Sequence, residues 1–169
     1  LHHLVILVTM SMCILGVRRS IADEQGDPVM SDSPLLQPWQ GPYGGVPPWN
    51  LVRPEEFTAL FDEAIAMSTR EIEAIANNPD PPTFENTLVP YEDAGRALNR
   101  LASMFFVYSS NLNVGPIPDI EKAVVPKLSE HQDSIYQNEK LFARIASIYA
   151  SDEMKDEKLN LAQRRLVDD

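Results

Sequence analysis

The chain has 169 residues, with 14 Lys and Arg against 25 Asp and Glu, for a formal charge of −11. Every acidic residue lies after Ala22 while Arg18 and Arg19 precede it, so the body is more acidic still, which excludes nucleic acid as a partner and disfavours an anionic membrane surface, because both need a basic face. Cys13 is the only cysteine, so neither a disulfide nor a cysteine-based metal site organises the chain.

Leu4 to Val17 is an apolar run, shorter than the roughly 20 residues that span a bilayer and matching the h-region of a secretory signal. Ser20-Ile21-Ala22 offers small residues where a signal peptidase reads. Against this, no Lys or Arg precedes the run, and Arg18 and Arg19 follow it. Met12 is too large for the position before a lipobox cysteine, so Cys13 does not read as a lipid anchor. Residues 1–22 are a signal-like leader, or else a translated upstream stretch without a role. An export or periplasmic location follows if the leader functions, and a cytoplasmic one otherwise; no stable membrane span is expected.

Residues 23–53 form a Pro/Gly-rich arm. Half of the chain's 14 prolines lie between Pro28 and Pro54. Gly41 to Trp49 cannot be helix or central strand, since Pro lacks the N–H and Gly costs entropy. Trp39, Tyr43 and Trp49 are expected to pin the arm across a helical surface. A proline-rich recognition ligand is the alternative, but no P-x-x-P repeat supports it.

Residues 54–169 are helical in pattern. Pro54 suits a first helical position, with Glu55 and Glu56 at the positive end of the dipole. Phe57, Leu60, Phe61, Ala64, Ile65, Ile72 and Ile75 form one stripe, which Asn77-Asn78-Pro79 ends. Thr83 reads as the cap of a second helix running to about Ser110, with Pro90 kinking it or marking a late start. A third begins near Pro118 and Asp119, with Ile120, Val124, Leu128, His131 and Ile135 on its stripe. Asn138 caps a fourth, with Leu141, Phe142, Ile145, Ile148 and Tyr149 expected inward. Leu159, Ala162 and Leu166 begin a fifth pattern that has no stop signal. The expected core is Phe57, Leu60, Phe61, Ile65, Ile72, Leu88, Leu98, Leu101, Phe105, Leu128, Phe142 and Ile145. No segment alternates with period two, so the fold class is all-α, an antiparallel helical array with short loops.

Chemistry is sparse. Zinc needs three or four ligands held by secondary structure. The histidines are His2 and His3 in the leader and His131, which has no second His four residues on. His131 reads as a partly buried helix residue. A Ser-His-Asp set has no other histidine to use, and no Gly-x-Ser-x-Gly elbow occurs. Ser103, Ser109 and Ser110 read as helix-surface hydroxyls. No phosphate-cradling Gly-rich loop is present. The carboxylate pairs Glu55-Glu56, Glu71-Glu73, Glu92-Asp93 and Asp152-Glu153 read as solvated faces. No catalytic, cofactor-binding or metal residue is assigned.

Several segments, in order, carry a likeness. They are Pro34 to Pro48, Asn77-Asn78-Pro79-Asp80-Pro81-Pro82-Thr83-Phe84-Glu85-Asn86-Thr87-Leu88, Gly95 to Arg100, Phe105-Phe106, Gln137 to Ile145 and Arg164 to Val167. From about Leu35 to Val167 the chain resembles the N-terminal region of the peptidyl-dipeptidases and thimet-oligopeptidase-like zinc metallopeptidases. The resemblance implies an all-helical, two-lobed enzyme whose N-terminal helices wall a channel admitting short peptides. It also implies zinc held by a His-Glu-x-x-His helix and a later Glu. No such motif exists here, so no catalytic residue carries over, and zinc belongs to the intact family and not to this chain. The implied partners are the missing C-terminal catalytic region and, for the intact enzyme, short peptides. A freestanding helical module binding a peptide or protein is the alternative; an enzyme with an unrecognised site is a third reading.

Overall fold

The computed structural model describes residues 32–43, 45–151 and 159–168, without the side chains of Leu161, Val167 and Asp168. The described residues all fall in the second of two units of the chain, Ser31–Asp169. The leader, Cys13, His2 and His3, Gly44 and the Asp152-Glu153 pair lie outside the described residues.

The second unit is all-α. Its helices are α1 (Phe57–Ala76), α2 (Val89–Asp93), α3 (Arg96–Asn111), α4 (Ile117–Tyr136), α5 (Glu139–Tyr149) and α6 (Leu161–Asp168). Among the described residues the only β feature is one isolated antiparallel bridge, Gln40 to Val46. A 3₁₀ turn over Pro54–Glu56 leads into α1, as Pro54 at a helix entrance requires. Helix α1 is central, touching α3, α4 and α5.

The stripe of α1 meets Leu98, Leu101, Met104 and Phe105 of α3 and Ile117, Ile120 and Val124 of α4 in one core. Phe105 meets Phe57 edge-on at 5.0 Å and Phe61 at 5.4 Å between ring centroids. Burying each such ring contributes roughly 1.5–3 kcal/mol, and the edge-to-face geometry contributes more. Two smaller clusters flank it. Ile72, Ile75 and Ala76 pack with Leu141, while Phe84 and Leu88 pack with Ile148 and Leu159.

The arm joins the main core more deeply than its aromatics indicated. Leu35 and Leu36 are each 2% exposed among the α1 and α3 side chains. Arg100 Nη2 donates to the Leu36 carbonyl at 2.7 Å. Trp39 packs on the same cluster, and Trp49 meets Tyr108 at 6.0 Å. Tyr43, expected to pin the arm, is fully exposed at the tip of the loop closed by Val46 N–H donating to the Gln40 carbonyl. Gly45 makes that loop possible: at φ 113 its Cα lies so close to Trp39 that a Cβ would sit 2.6 Å from the Trp39 oxygen.

The single second helix expected from Thr83 to Ser110 is three pieces. Thr83 caps a π-type turn, Phe84–Leu88, where Val89 N–H reaches five residues back to the Phe84 carbonyl. Pro90 lacks an N–H and its ring crowds the carbonyl four residues back, which favours this widening. The break itself falls later. Ala94 is extended and Gly95 left-handed at φ 73, so α3 starts afresh at Arg96.

Two α5 residues expected in the core are outside: Phe142 is 69% and Tyr149 59% exposed. The inward stripe is Leu141, Arg144, Ile145 and Ile148, one position round the helix from the aromatics. Ile65, Leu128 and Ile145 are half-buried, packed against the clusters rather than within them. The last pattern does find a partner: Leu159 is buried, and Leu166 packs against the Phe84, Leu88 and Ile148 cluster.

Replacing Leu101, wholly buried, by Ala is expected to cost about 2–5 kcal/mol in urea unfolding. Phe142→Ala is expected to stay within about 0.5 kcal/mol. Equal effects would show the burial pattern to be wrong.

Candidate functional site

The prolines at 79, 81 and 82 bar helix between α1 and the π-type turn, so this segment needs hydrogen bonds from elsewhere. Its own side chains supply the first set. Asp80 N–H donates to Asn78 Oδ1 at 2.9 Å. Thr83 and Asn86 form a reciprocal capping box: Asn86 N–H donates to Thr83 Oγ1 at 3.1 Å, and Thr83 N–H to Asn86 Oδ1 at 2.8 Å. Asn86 Nδ2 also donates to the Pro81 carbonyl at 2.9 Å.

Helix α5 supplies the rest through Arg144, which is 6% exposed. Its Nε donates to Thr87 Oγ1 at 3.2 Å, and its Nη2 to Asn86 Oδ1 at 2.9 Å. Its Nη1 donates to the carbonyls of Asn78 at 2.8 Å and Asp80 at 3.1 Å. Four neutral oxygens thus surround a buried guanidinium, and Lys140 adds a bond to Asn77 Oδ1 at 2.6 Å. Asn138 starts α5 by accepting from Leu141 N–H at 3.0 Å, which sets where Arg144 points. The two most distinctive motif segments, Asn77 to Leu88 and Gln137 to Ile145, are therefore two halves of one clasp.

Beside the clasp lies an open groove of about 430 Å³ whose lining includes Glu71, Ile75, Asn78, Asn86, Asp93 and Ala94. Its polar groups are already engaged. Glu71 Oε2 accepts from Gly95 N–H at 2.7 Å, and Asp93 pairs with Arg96. No residue lining the groove is a nucleophile held by a base, and the bonds shown position helices.

His131 holds α4 to α1. It is 8% exposed, with Nε2 2.9 Å from Ser68 Oγ and Nδ1 3.4 Å from Thr69 Oγ1. Thr69 spends its hydroxyl proton on the Ile65 carbonyl at 2.9 Å. Nδ1 is therefore the ring's donor and Nε2 its acceptor. The Ser-His pair has no acid behind it and no space before it, since Ser68 is 3% exposed. A Cβ on Gly95 would lie 3.2 Å from Ser68 Oγ. The structure makes His131 a buried crosslink, and with both nitrogens engaged it has none left for a metal. Among the described residues no group of three His, Cys, Asp or Glu can hold a metal ion, and no helix is long and apolar enough to cross a membrane. Of the serines read as surface hydroxyls, Ser103 and Ser110 are exposed, but Ser109 is buried because it falls on the Leu101–Phe105 face of α3.

No model of a known protein family matches the chain. Individual proteins do. The chain is 32% identical over 120 residues to dipeptidyl carboxypeptidase of Salmonella typhimurium, over 71% of this chain and 18% of that protein. It is 30% identical over 103 residues to the Escherichia coli dipeptidyl carboxypeptidase, over 61% of this chain and 15% of that protein. The chain is a relative of the dipeptidyl carboxypeptidases and oligopeptidase A. Oligopeptidase A of Escherichia coli matches at 25% identity over 136 residues, 80% of this chain and 19% of that protein. The chain thus spans less than a fifth of the length of these relatives.

Sequence reasoning missed Arg144 because a charged residue on a helix is ordinarily solvated. The signal was its spacing: three and seven residues separate Leu141 from Arg144 and Ile148, which puts the arginine on the apolar stripe.

Two outcomes check this site. Arg144→Met takes the guanidinium donor from the Thr87 hydroxyl oxygen and from the Asn78 and Asp80 carbonyls, while Asn86 Oδ1 keeps the Thr83 N–H, and is expected to cost at least about 2 kcal/mol in urea unfolding. Arg144→Lys is expected to recover little, since one ammonium cannot reach all four. Burial pushes the His131 pKa below its ordinary 6.5. The folded state then stays neutral where the unfolded chain takes up a proton, so this contribution is complete above pH 6.5 and declines as pH falls from there to the lowered folded value. Urea midpoints at pH 7.5 and 5.5 are expected to differ less in His131→Gln than in the parent chain.

Proposed function

We propose that this chain is the framework part of a zinc-dependent peptidyl-dipeptidase or oligopeptidase that hydrolyses short peptides, and that by itself it is inactive. The observation that carries this reading is the similarity to dipeptidyl carboxypeptidase over 71% of the chain, together with the clasp that joins its most distinctive segments.

The chain's own residues do not fit the family's zinc. The sequence contains no His-Glu-x-x-His, and His131 is committed to Ser68 and Thr69. The role left for the chain is mechanical. Helices α1, α3 and α4 make a packed wall, and the clasp fixes the angle at which α5 leaves it. Such a wall orients and excludes; the zinc chemistry belongs to sequence that this chain does not contain.

The test is a chimera in which this chain replaces the matched segment of the Salmonella dipeptidyl carboxypeptidase. It is expected to release C-terminal dipeptides from short peptides and to hold one zinc. The chain alone is expected to do neither, as judged by metal analysis after dialysis and by peptide assay. A well-folded chimera without activity, or one tightly held zinc on the chain alone, would overturn the reading.

A further inference from the structure

After its first turn, where Glu139 and Lys140 are exposed, helix α5 is inverted with respect to charge. From Leu141 to Ala150 its single charged side chain is Arg144, and that one is buried. Its exposed residues over the same stretch are Phe142, Ala143, Ala146, Ser147, Tyr149 and Ala150. In contrast α4, equally peripheral, exposes Lys122, Glu130 and Asp133. Phe142 and Tyr149 are seven residues apart and share one stripe, with Ala146 between them. Tyr136, at the end of α4 and 73% exposed, lines a hollow with Phe142 and the charged Glu139 at the α4–α5 corner. In a chain of charge −11, two turns of uncharged, aromatic outer surface are a packing face and not a solvated one.

We propose, resting on the function proposed above, that this face is covered by an apolar helix from the remainder of a relative-length chain. Two observations select that occupant. The matched 120 residues are 18% of the Salmonella enzyme, so more than four-fifths of such a protein lies outside the match and has to pack somewhere. Beyond Glu139 at its N-terminal end the face is also uncharged and studded with alanine, which lets another helix approach closely between the two rings. A second copy of this chain would bring a further −11 of charge against the first.

The experiment reads hydrogen exchange of residues 139–150 in the isolated chain and in the chimera, each with and without the double substitution Phe142→Ser and Tyr149→Ser. The expected result is exchange at least roughly tenfold slower in the chimera, with the protection lost on double substitution and the isolated chain's melting temperature unmoved by it. Equal exchange in an active chimera overturns this inference and leaves the proposed function standing. Protection in a folded but inactive chimera does the reverse. An isolated chain that dimerises through the face, and is made monomeric by the double substitution, also overturns it by naming the second copy. If the chimera does not fold, the chain is co-expressed with the Salmonella enzyme lacking its matched segment. Co-purification lost on double substitution supports the inference, and co-purification unaffected by it overturns it.

Discussion

A buried guanidinium holding a helix-free segment is the interaction on which this arrangement depends. Between α1 and the π-type turn the chain carries three prolines, so its carbonyls have no helical donors. Two of those carbonyls, of Asn78 and Asp80, are satisfied by Arg144 from α5. The same side chain engages Thr87 and Asn86. An arginine suits this task because its planar fork presents several donors at fixed angles and its charge is delocalised. Among the described residues its partners are neutral oxygens, so the contacts shown are hydrogen bonds and not ion pairs. Once the clasp is closed, Leu141 is carried against Ile72 and Ile75, and Ile148 against Phe84 and Leu88.

A second polar node works in the same way about one turn earlier along α1. His131 reaches from α4 to Ser68 and Thr69, and Gly95 backs directly onto Ser68. The left-handed backbone at Gly95 breaks what the apolar periodicity alone reads as one helix, and Glu71 on α1 accepts its N–H. Buried polar groups specify one arrangement where apolar packing tolerates several, because each has to meet its partner at a fixed distance. Here they set which turn of α1 meets α4 and where α3 begins. Arg100 plays a related part for the arm, where burial lowers its pKa, nearby Arg96 adds to that, and Glu71 opposes it.

These nodes also clarify the likeness to peptidases. The residues that make the chain resemble dipeptidyl carboxypeptidase and oligopeptidase A are not a set of reacting groups. Asn86, Thr87 and Arg144 are engaged with one another or with backbone, and Phe105 is wholly buried. Such residues mark a shape rather than a reaction. On the outer side of α5, by contrast, apolar groups face solvent, as Tyr43, Val46 and Phe106 do elsewhere.

The amino-acid sequence by itself determined the all-α class, the extent of α1, the caps at Thr83 and Asn138, the entrance of α4 and most of the central stripe. Those features follow from local physics: apolar period, the missing N–H of proline, and a side-chain oxygen near a free amide. Only tertiary structure decided that Leu35 and Leu36 of the arm enter the core, that Phe142 and Tyr149 stay out, and that Arg144 goes in. Periodicity says which residues share a face, but a helix with apolar groups on two adjacent stripes needs a neighbour to choose between them. On α5 the choice fell to the unsatisfied carbonyls of a proline-bound turn more than sixty positions earlier in the chain, a demand that no local pattern expresses.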